Sequence, residues 1–326
     1  MAVYTRLGAE EMDAIVAAFN VGSLVSAKGI AEGVSNSNWL IETQDTQGNA
    51  RRFILTMYET RTDTADLPFF LGLLDHLAAH ACPVPRTIHD SDGASHRFHD
   101  GKALALIEFL PGVSVSDPTP EQARAVGAAL AQVHLAAAGF DDTRANSMGL
   151  EAWQQLLGDC GAEGLASIHP ELARIVEREL AALQARWPSD LPRGVIHADL
   201  FPDNVLMLGD KVTGLIDFYF ACTDITAYDV AVTHAAWCFS TDGTQFFPAL
   251  STALLKGYES VRPLSPDERA ALPLLARGAA MRFLSTRAYD WLNTPDDALV
   301  TLKDPMAFAR RLEFYADPGN AGIFAA

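Results

Sequence analysis

Cationic side chains are scarce in this chain: 24 Lys and Arg stand against 41 Asp and Glu, a net charge of −17 over 326 residues. That deficit argues against a nucleic-acid partner, because such proteins neutralise phosphates with clustered Lys and Arg. It equally disfavours docking on an anionic membrane. Cysteine is sparse as well. Cys82, Cys160, Cys222 and Cys238 form no CxxC pair and have no histidine at metal-ligand spacing. Buried thiols in a reducing cytosol are therefore expected, not disulfides or zinc. No apolar run approaches the roughly 20 residues of a membrane span. The opening MAVYTRLGAEEMDAIVAAF has no basic segment leading into an apolar one, so it does not read as a secretion signal. What is present is a cytoplasmic globular composition, 49% hydrophobic and 20% charged, with enough apolar residues for a substantial core. No internal repeat or low-complexity segment breaks it, and the oligomeric state is unknown from sequence.

The first hundred residues read mostly as strand. After a helical stretch at 9–19, LVSAKGI, NWLIET and RRFILTMY are short β-prone runs separated by GVSNS and QDTQGN. DLPFFLGLLDHLAAHA (66–81) is an expected helix opened by Asp66, with Pro68 in its first turn. CPVPRTI then leads to a further strand pair, SHRFHD and KALALIEFL, which Pro111-Gly112 ends sharply. Beyond residue 112 the pattern turns helical. A helix begins at Thr119-Pro120-Glu121, another covers 170–186, and helices dominate from about 226. Within that half, residues 195–217 form an isolated β segment.

The chemistry concentrates there. Residues 195–206 read VIHADLFPDNVL, and NVLMLGDKVTGLID follows from Asn204 to Asp217. Two apolar runs flank Gly209-Asp210-Lys211, which signals a hairpin. Opposed residues of an antiparallel hairpin have numbers of constant sum, so Asn204 and Asp217 are expected near each other at its open end. Asp199 lies five residues before Asn204, within reach across the Phe201-Pro202 turn. An amide oxygen from Asn204 and a carboxylate from Asp217 suit Mg²⁺, which takes oxygen ligands and leaves positions for water and phosphate. Asp199 is then left to accept the proton of a substrate hydroxyl. This division of labour is that of phosphoryl transfer to an alcohol. Asp203 reads as a solvated turn carboxylate and His197 as a brace for the loop. Asp229, in AYDVAV, is a candidate either to bond that loop from beneath or to cap a helix.

His197-Ala-Asp199-x₄-Asn204 resembles the kinase catalytic loop H-x-D-x-x-x-x-N, and Asp217-Phe218 stands where kinases carry the magnesium-binding D-F-G. The chain thus resembles the aminoglycoside phosphotransferase-like branch of small-molecule kinases. ILTMYE, DLPFFLGLLDHLA, IDFYFACTDITAYDVAV and MRFLSTRAYDWL are similar to stretches of the homoserine kinase family. The resemblance covers nearly the whole chain. It implies an α+β, two-lobed protein-kinase-like fold, with a small β-rich N-lobe (1–107), a hinge (108–112) and a larger, mostly helical C-lobe (113–326). It implies ATP and Mg²⁺ as cofactors, and an amino acid bearing a hydroxyl as the small-molecule substrate. It also implies that the main chain near Glu108 and Leu110 reads the adenine edge. A plain interdomain linker is the other reading of that stretch.

Ser35, Asn36 and Ser37, in the run from Gly33 to Asn38, resemble a phosphate-covering loop, although a hairpin tip explains them equally. One departure stands out. Thr56 occupies the place of the lysine that pairs with the α- and β-phosphates in protein kinases. Lys28, Arg52 or a second Mg²⁺ are the candidates to replace it. Homoserine needs a cation for its carboxylate and an acidic or carbonyl group for its ammonium. Arg282 and Arg287 are candidates for the first, Arg282 the better one, since Arg287 reads as an ion pair with Asp290. Tyr219 and Asp224 are candidates to line the acceptor pocket. His134 and the tryptophans, among them Trp39, Trp153 and Trp237, read as core. An aminoglycoside, choline or a sugar is the alternative acceptor, and a non-catalytic nucleotide-binding scaffold the alternative class.

Overall fold

The structure is a computed structural model that describes residue 5 and residues 7–30, 36–59, 63–295 and 301–325. It divides into two compact units, residues 1–112 with 213–219, and residues 113–212 with 220–326.

The first unit contains α1 (Ala9–Ala17), β1 (Ser23–Ile30), β2 (Ser37–Gln44), β3 (Ala50–Met57), α2 (Leu67–Ala79), β4 (Thr87–Ile88), β5 (Arg97–His99) and β6 (Lys102–Glu108). The strands form one antiparallel sheet in the order β1-β2-β3-β6-β4, with β5 also pairing β6. Alternation gives the sheet two different faces. Trp39, Leu55 and Leu106 are cross-strand partners on the first, where Met12, Ile15 and Val16 of α1 complete a buried cluster. The second face carries Lys28, Leu40, Ile54 and Ile107 in one row and Ile30, Asn38, Thr56 and Ala105 in the next. Leu40, Ile54 and Ile107 stay half-buried there. Helix α2 starts where its sequence suggests, directly after Asp66 and with Pro68 in its first turn, but it is capped differently. Asp66 makes no side-chain cap, and Asp63 instead caps a preceding turn of 3-10 helix, accepting from the Ala65 amide at 3.0 Å.

The second unit holds α3 (Pro120–Ala137), α4 (Leu150–Ile168), α5 (Leu172–Arg186), β7 (Arg193–Ile196), β8 (Val205–Leu208), β9 (Lys211–Leu215, which crosses into the first unit), β10 (Cys222–Ile225), α6 (Thr226–Trp237), α7 (Pro248–Glu259), α8 (Pro266–Asn293) and α9 (Met306–Ala316). Thr119 and Gln122 form a reciprocal cap on α3. Every residue of α6 is buried, which makes this helix the centre of the unit. Helices α3 and α7 meet backbone to backbone. A Cβ on Gly127 would lie 2.1 Å from the Leu254 carbonyl oxygen, and one on Gly257 2.0 Å from that of Arg124. Strand β10, unforeseen in a segment as short and polar as CTDI, pairs antiparallel with β7. Strands β8 and β9 form the expected hairpin around Gly209 and Asp210.

Candidate active site

β7 delivers the chain to His197 at the heart of the second unit, and Asp199 follows after a forced turn. Ala198 is a buried alanine at φ 64°, a left-handed conformation unfavourable for any residue with a Cβ. Its neighbours hold it there. Asp229, on α6, accepts from the His197 amide at 2.7 Å and from the Ala198 amide at 2.8 Å. On the other side of the same residue, the Arg282 guanidinium donates to the Ala198 carbonyl oxygen. Trp237 Nε1 donates to the Leu200 carbonyl at 2.9 Å. His197 is fully buried, and its Nδ1 accepts from the Asp199 amide at 3.2 Å. It therefore braces the turn as its sequence setting suggests.

The clamp is charged. Asp229 also pairs with His134 Nε2 at 3.0 Å, and His134 Nδ1 meets the Tyr258 hydroxyl at 2.8 Å. Burial alone would raise the Asp229 carboxyl. Hydrogen bonds and charge from His134 and His197 outweigh it and hold the pKa below the usual carboxylate value. Of the two roles open to Asp229 in the sequence, the geometry gives it the loop. His134 and Trp237, read as core, are polar supports of the turn as well. A histidine in an apolar helix was the signal for this, since a buried imidazole must find partners.

Beyond Asp199, a one-turn 3-10 helix, Pro202–Asn204, leads into β8. Asn204 Nδ2 donates to the Asp199 carbonyl oxygen at 2.8 Å and to its carboxylate at 3.2 Å. The amide nitrogen is thereby committed, and Oδ1 is the end of Asn204 that these bonds leave over. Asp203 pairs loosely with Lys303 at 3.8 Å, both side chains mostly exposed, a contact of little energetic weight.

In the first unit, Asp217 follows β9 by two residues and is itself left-handed, at φ 65°. Next to it, Tyr219 shares a hydrogen bond with Tyr58 across 3.1 Å and meets Phe70 edge to face. Burial pushes the Tyr219 hydroxyl up to about 12. Thr56 donates to Asn38 Oδ1 at 2.8 Å, so the two side chains of that row bind each other. Arg52 is committed to Glu42 at 2.9 Å. Lys28, on the same face as Leu40 and Ile54, is exposed. At the end of β6, the Glu108 amide donates to the Arg86 carbonyl at 2.9 Å and the Phe109 amide approaches that of Arg52 at 3.4 Å. Leu110 makes no such main-chain bond among the described residues.

The contacts of four candidate groups differ from those expected. Ser35 lies outside the described residues, while Asn36 and Ser37 enter β2 with their side chains turned to Glu59. Ser37 Oγ donates to Glu59 at 2.7 Å and Asn36 Oδ1 accepts from the Glu59 amide at 3.3 Å. Lys102 closes that group at 2.5 Å, so both side chains serve a local ionic cluster. Asp224 is spent on Asn146 at 2.7 Å and Arg193 at 3.1 Å, and pairs with Gly194 at the end of β10 away from His197. It borders a cavity of about 480 Å³ with Trp153, Trp187 and Tyr228. Arg282 is 3% exposed, and beyond Ala198 it covers the rings of Phe220 and Phe283 at 5.1 and 4.6 Å. It is a support of the turn. Arg287, expected at the surface, is half-buried over the Phe308 ring at 4.5 Å and donates to the Asp304 carbonyl at 3.2 Å.

Comparison with known proteins bears on the whole chain. The model of the phosphotransferase enzyme family matches residues 26–264. A homoserine kinase of Azorhizobium caulinodans is 51% identical, covering 98% of both chains, and one of Acidiphilium cryptum is 50% identical over 99% of both. Among solved structures, an amicoumacin kinase in complex with AMP-PNP and Ca²⁺ superimposes with a TM-score of 0.68 at 17% identity, covering 94% of this chain and 93% of that one. The fold is therefore protein-kinase-like, with an antiparallel sheet in its N-terminal part and helices in its C-terminal part.

Proposed function

The chain belongs to the phosphotransferase enzyme family, and on that premise we propose that it transfers the γ-phosphate of ATP to the hydroxyl of L-homoserine, giving O-phospho-L-homoserine for threonine biosynthesis. The observation that carries this reading is the identity of about half of all residues, end to end, with homoserine kinases. Asp199 is the catalytic residue. It orients the acceptor hydroxyl and takes its proton as the new oxygen–phosphorus bond forms and the bond to ADP breaks. The clamp of Asp229, Arg282 and Trp237 exists to keep that carboxylate aimed, because positioning supplies most of the catalysis in this reaction.

The donor types suit Mg²⁺: an amide oxygen from Asn204, whose nitrogen is already committed, and the Asp217 carboxylate. Bound there, the ion would neutralise phosphate charge. The half-buried Leu40, Ile54 and Ile107 give the adenine an apolar face, and the main chain at Leu110, beside Glu108 and without a backbone partner among the described residues, is suited to its edge. Lys28 shares that face and takes the place of the missing lysine. Tyr219 borders the metal carboxylate. The enzyme works in the cytoplasm, a reading supported by four unpaired, buried thiols. Among the described residues no helix is long and apolar enough to cross a membrane.

The test is ADP release with L-homoserine, choline, a sugar and an aminoglycoside as separate acceptors. Homoserine is expected to give the highest kcat/KM, and Asp199→Ala to lower kcat by at least about 100-fold. Absence of ADP above background with homoserine overturns the reading.

A further inference from the structure

Four cations gather around three rings beside the catalytic turn. Phe201, two residues after Asp199, packs on Phe283 at 4.7 Å, and Phe283 on Phe308 at 5.0 Å. Lys303 lies 5.9 Å from the Phe201 ring, Arg282 4.6 Å from Phe283, Arg287 4.5 Å and Arg311 4.4 Å from Phe308. An acceptor with a carboxylate, presented to Asp199, would meet one of them.

Their hydrogen bonds distinguish them. Arg282 is buried and holds the Ala198 carbonyl. Arg311 is 4% exposed and spends its guanidinium on the carbonyls of Ala307 at 3.0 Å and Ser240 at 2.8 Å. Lys303 is 64% exposed at its side chain, and a solvated ammonium gains little from an anion. Arg287 differs from all three. It is half-buried, and among the described residues one bond, to the Asp304 carbonyl at 3.2 Å, uses one of its five N–H donors. Burial and the neighbouring Arg311 charge pull its pKa down to about 10, against the pull of the Asp304, Asp199 and Asp203 carboxylates. Its positive charge is thus partly desolvated, crowded by a second cation and within the field of the catalytic carboxylate. An arriving carboxylate would relieve it, and the planar fork of a guanidinium can take both carboxylate oxygens at once.

We propose that Arg287 is the specificity residue that receives the carboxylate of the amino-acid acceptor. The inference rests on the reading of the site as an amino-acid kinase. Arg287 and Arg282 are five residues apart on α8 and on different sides of the helix; Arg282 bonds the catalytic turn, while Arg287 lies over the Phe308 ring within the field of Asp199.

The test compares wild type, Arg287→Ala and Arg287→Lys on L-homoserine and on 3-aminopropan-1-ol, which is homoserine without its carboxylate. Arg287→Ala is expected to lose roughly 100-fold in kcat/KM for homoserine, mainly through KM. Its KM for ATP and its activity on aminopropanol should stay within about 3-fold of wild type. Arg287→Lys should recover part of the homoserine loss, since it keeps the charge and loses the fork. An equal fall on both alcohols, or a fall in kcat alone, overturns the inference, and so does wild-type behaviour of Arg287→Ala. A wild type inactive on homoserine overturns the function itself, an outcome distinct from a defect confined to the variant.

Discussion

At Ala198 a single methyl group sits in a conformation it disfavours, held by a carboxylate on one side and a guanidinium on the other. Glycine there would remove the steric cost and loosen the unfolded chain, two effects that nearly cancel. Ala198→Gly is therefore expected to stay within about 1 kcal/mol of wild-type stability. A β-branched residue worsens the clash in a fully packed site, so Ala198→Val should lose more than about 2 kcal/mol and most activity. Urea midpoints and kcat measured on the pair check this. Residues of this kind also mark how far the sequence can be read. The turn after Asp199 and the β8–β9 hairpin that follows Asn204 were legible because spacing within one short stretch relates their residues. His134 and Arg282 were not. They reach the turn from 95 residues away at Asp229 and 84 residues away at Ala198, and nothing local records such a contact.

Among the elements, the three strands β1 to β3 match their sequence patterns to within a residue or so, since alternation and turn residues agree in each. Helix α4 had no clear signature, because Gly158, Gly161 and Gly164 dilute its helix propensity, and at Gly161 the backbone does leave the helix, at φ 64°. The sheet face opposite α1 gives the element scale its prediction. With Thr56 bonded to Asn38 and Arg52 to Glu42, Lys28 is the cation of that face not tied to a partner among the described residues. Lys28→Ala is expected to raise KM for ATP by about 10-fold while leaving KM for homoserine unchanged, as initial rates at varied ATP would show.

For the molecule as a whole, buried titratable groups set the response to acid. His234 lies in the last turn of α6, bonded to Tyr315 at 2.7 Å and Ser251 at 2.8 Å, and burial depresses its pKa to about 3. The unfolded chain takes up a proton on this histidine near the ordinary 6.5 while the folded chain does not. Stability should therefore fall as the pH drops below that value, with a slope approaching about 1.4 kcal/mol per pH unit from this group. Asp229, whose pKa is lowered, acts in the same direction at lower pH, because the folded state resists the proton that the unfolded state accepts. Urea midpoints between pH 5.5 and 7.5 should show the decline, and His234→Gln should flatten it. A wild-type curve without that slope would place the buried charge elsewhere.

The stretch Thr213–Tyr219 belongs to the first unit although the chain on either side of it belongs to the second. Leu215 donates to the Pro83 carbonyl at 2.7 Å, and Tyr219 fits against Tyr58 and Phe70. The first unit is therefore not finished when Gly112 leaves the ribosome. During synthesis it must wait, with the pocket for Tyr219 unfilled, until residue 219 of the 326 has emerged. The nascent N-terminal part stays incomplete until then, and Asp217 arrives with the same seven residues that complete it.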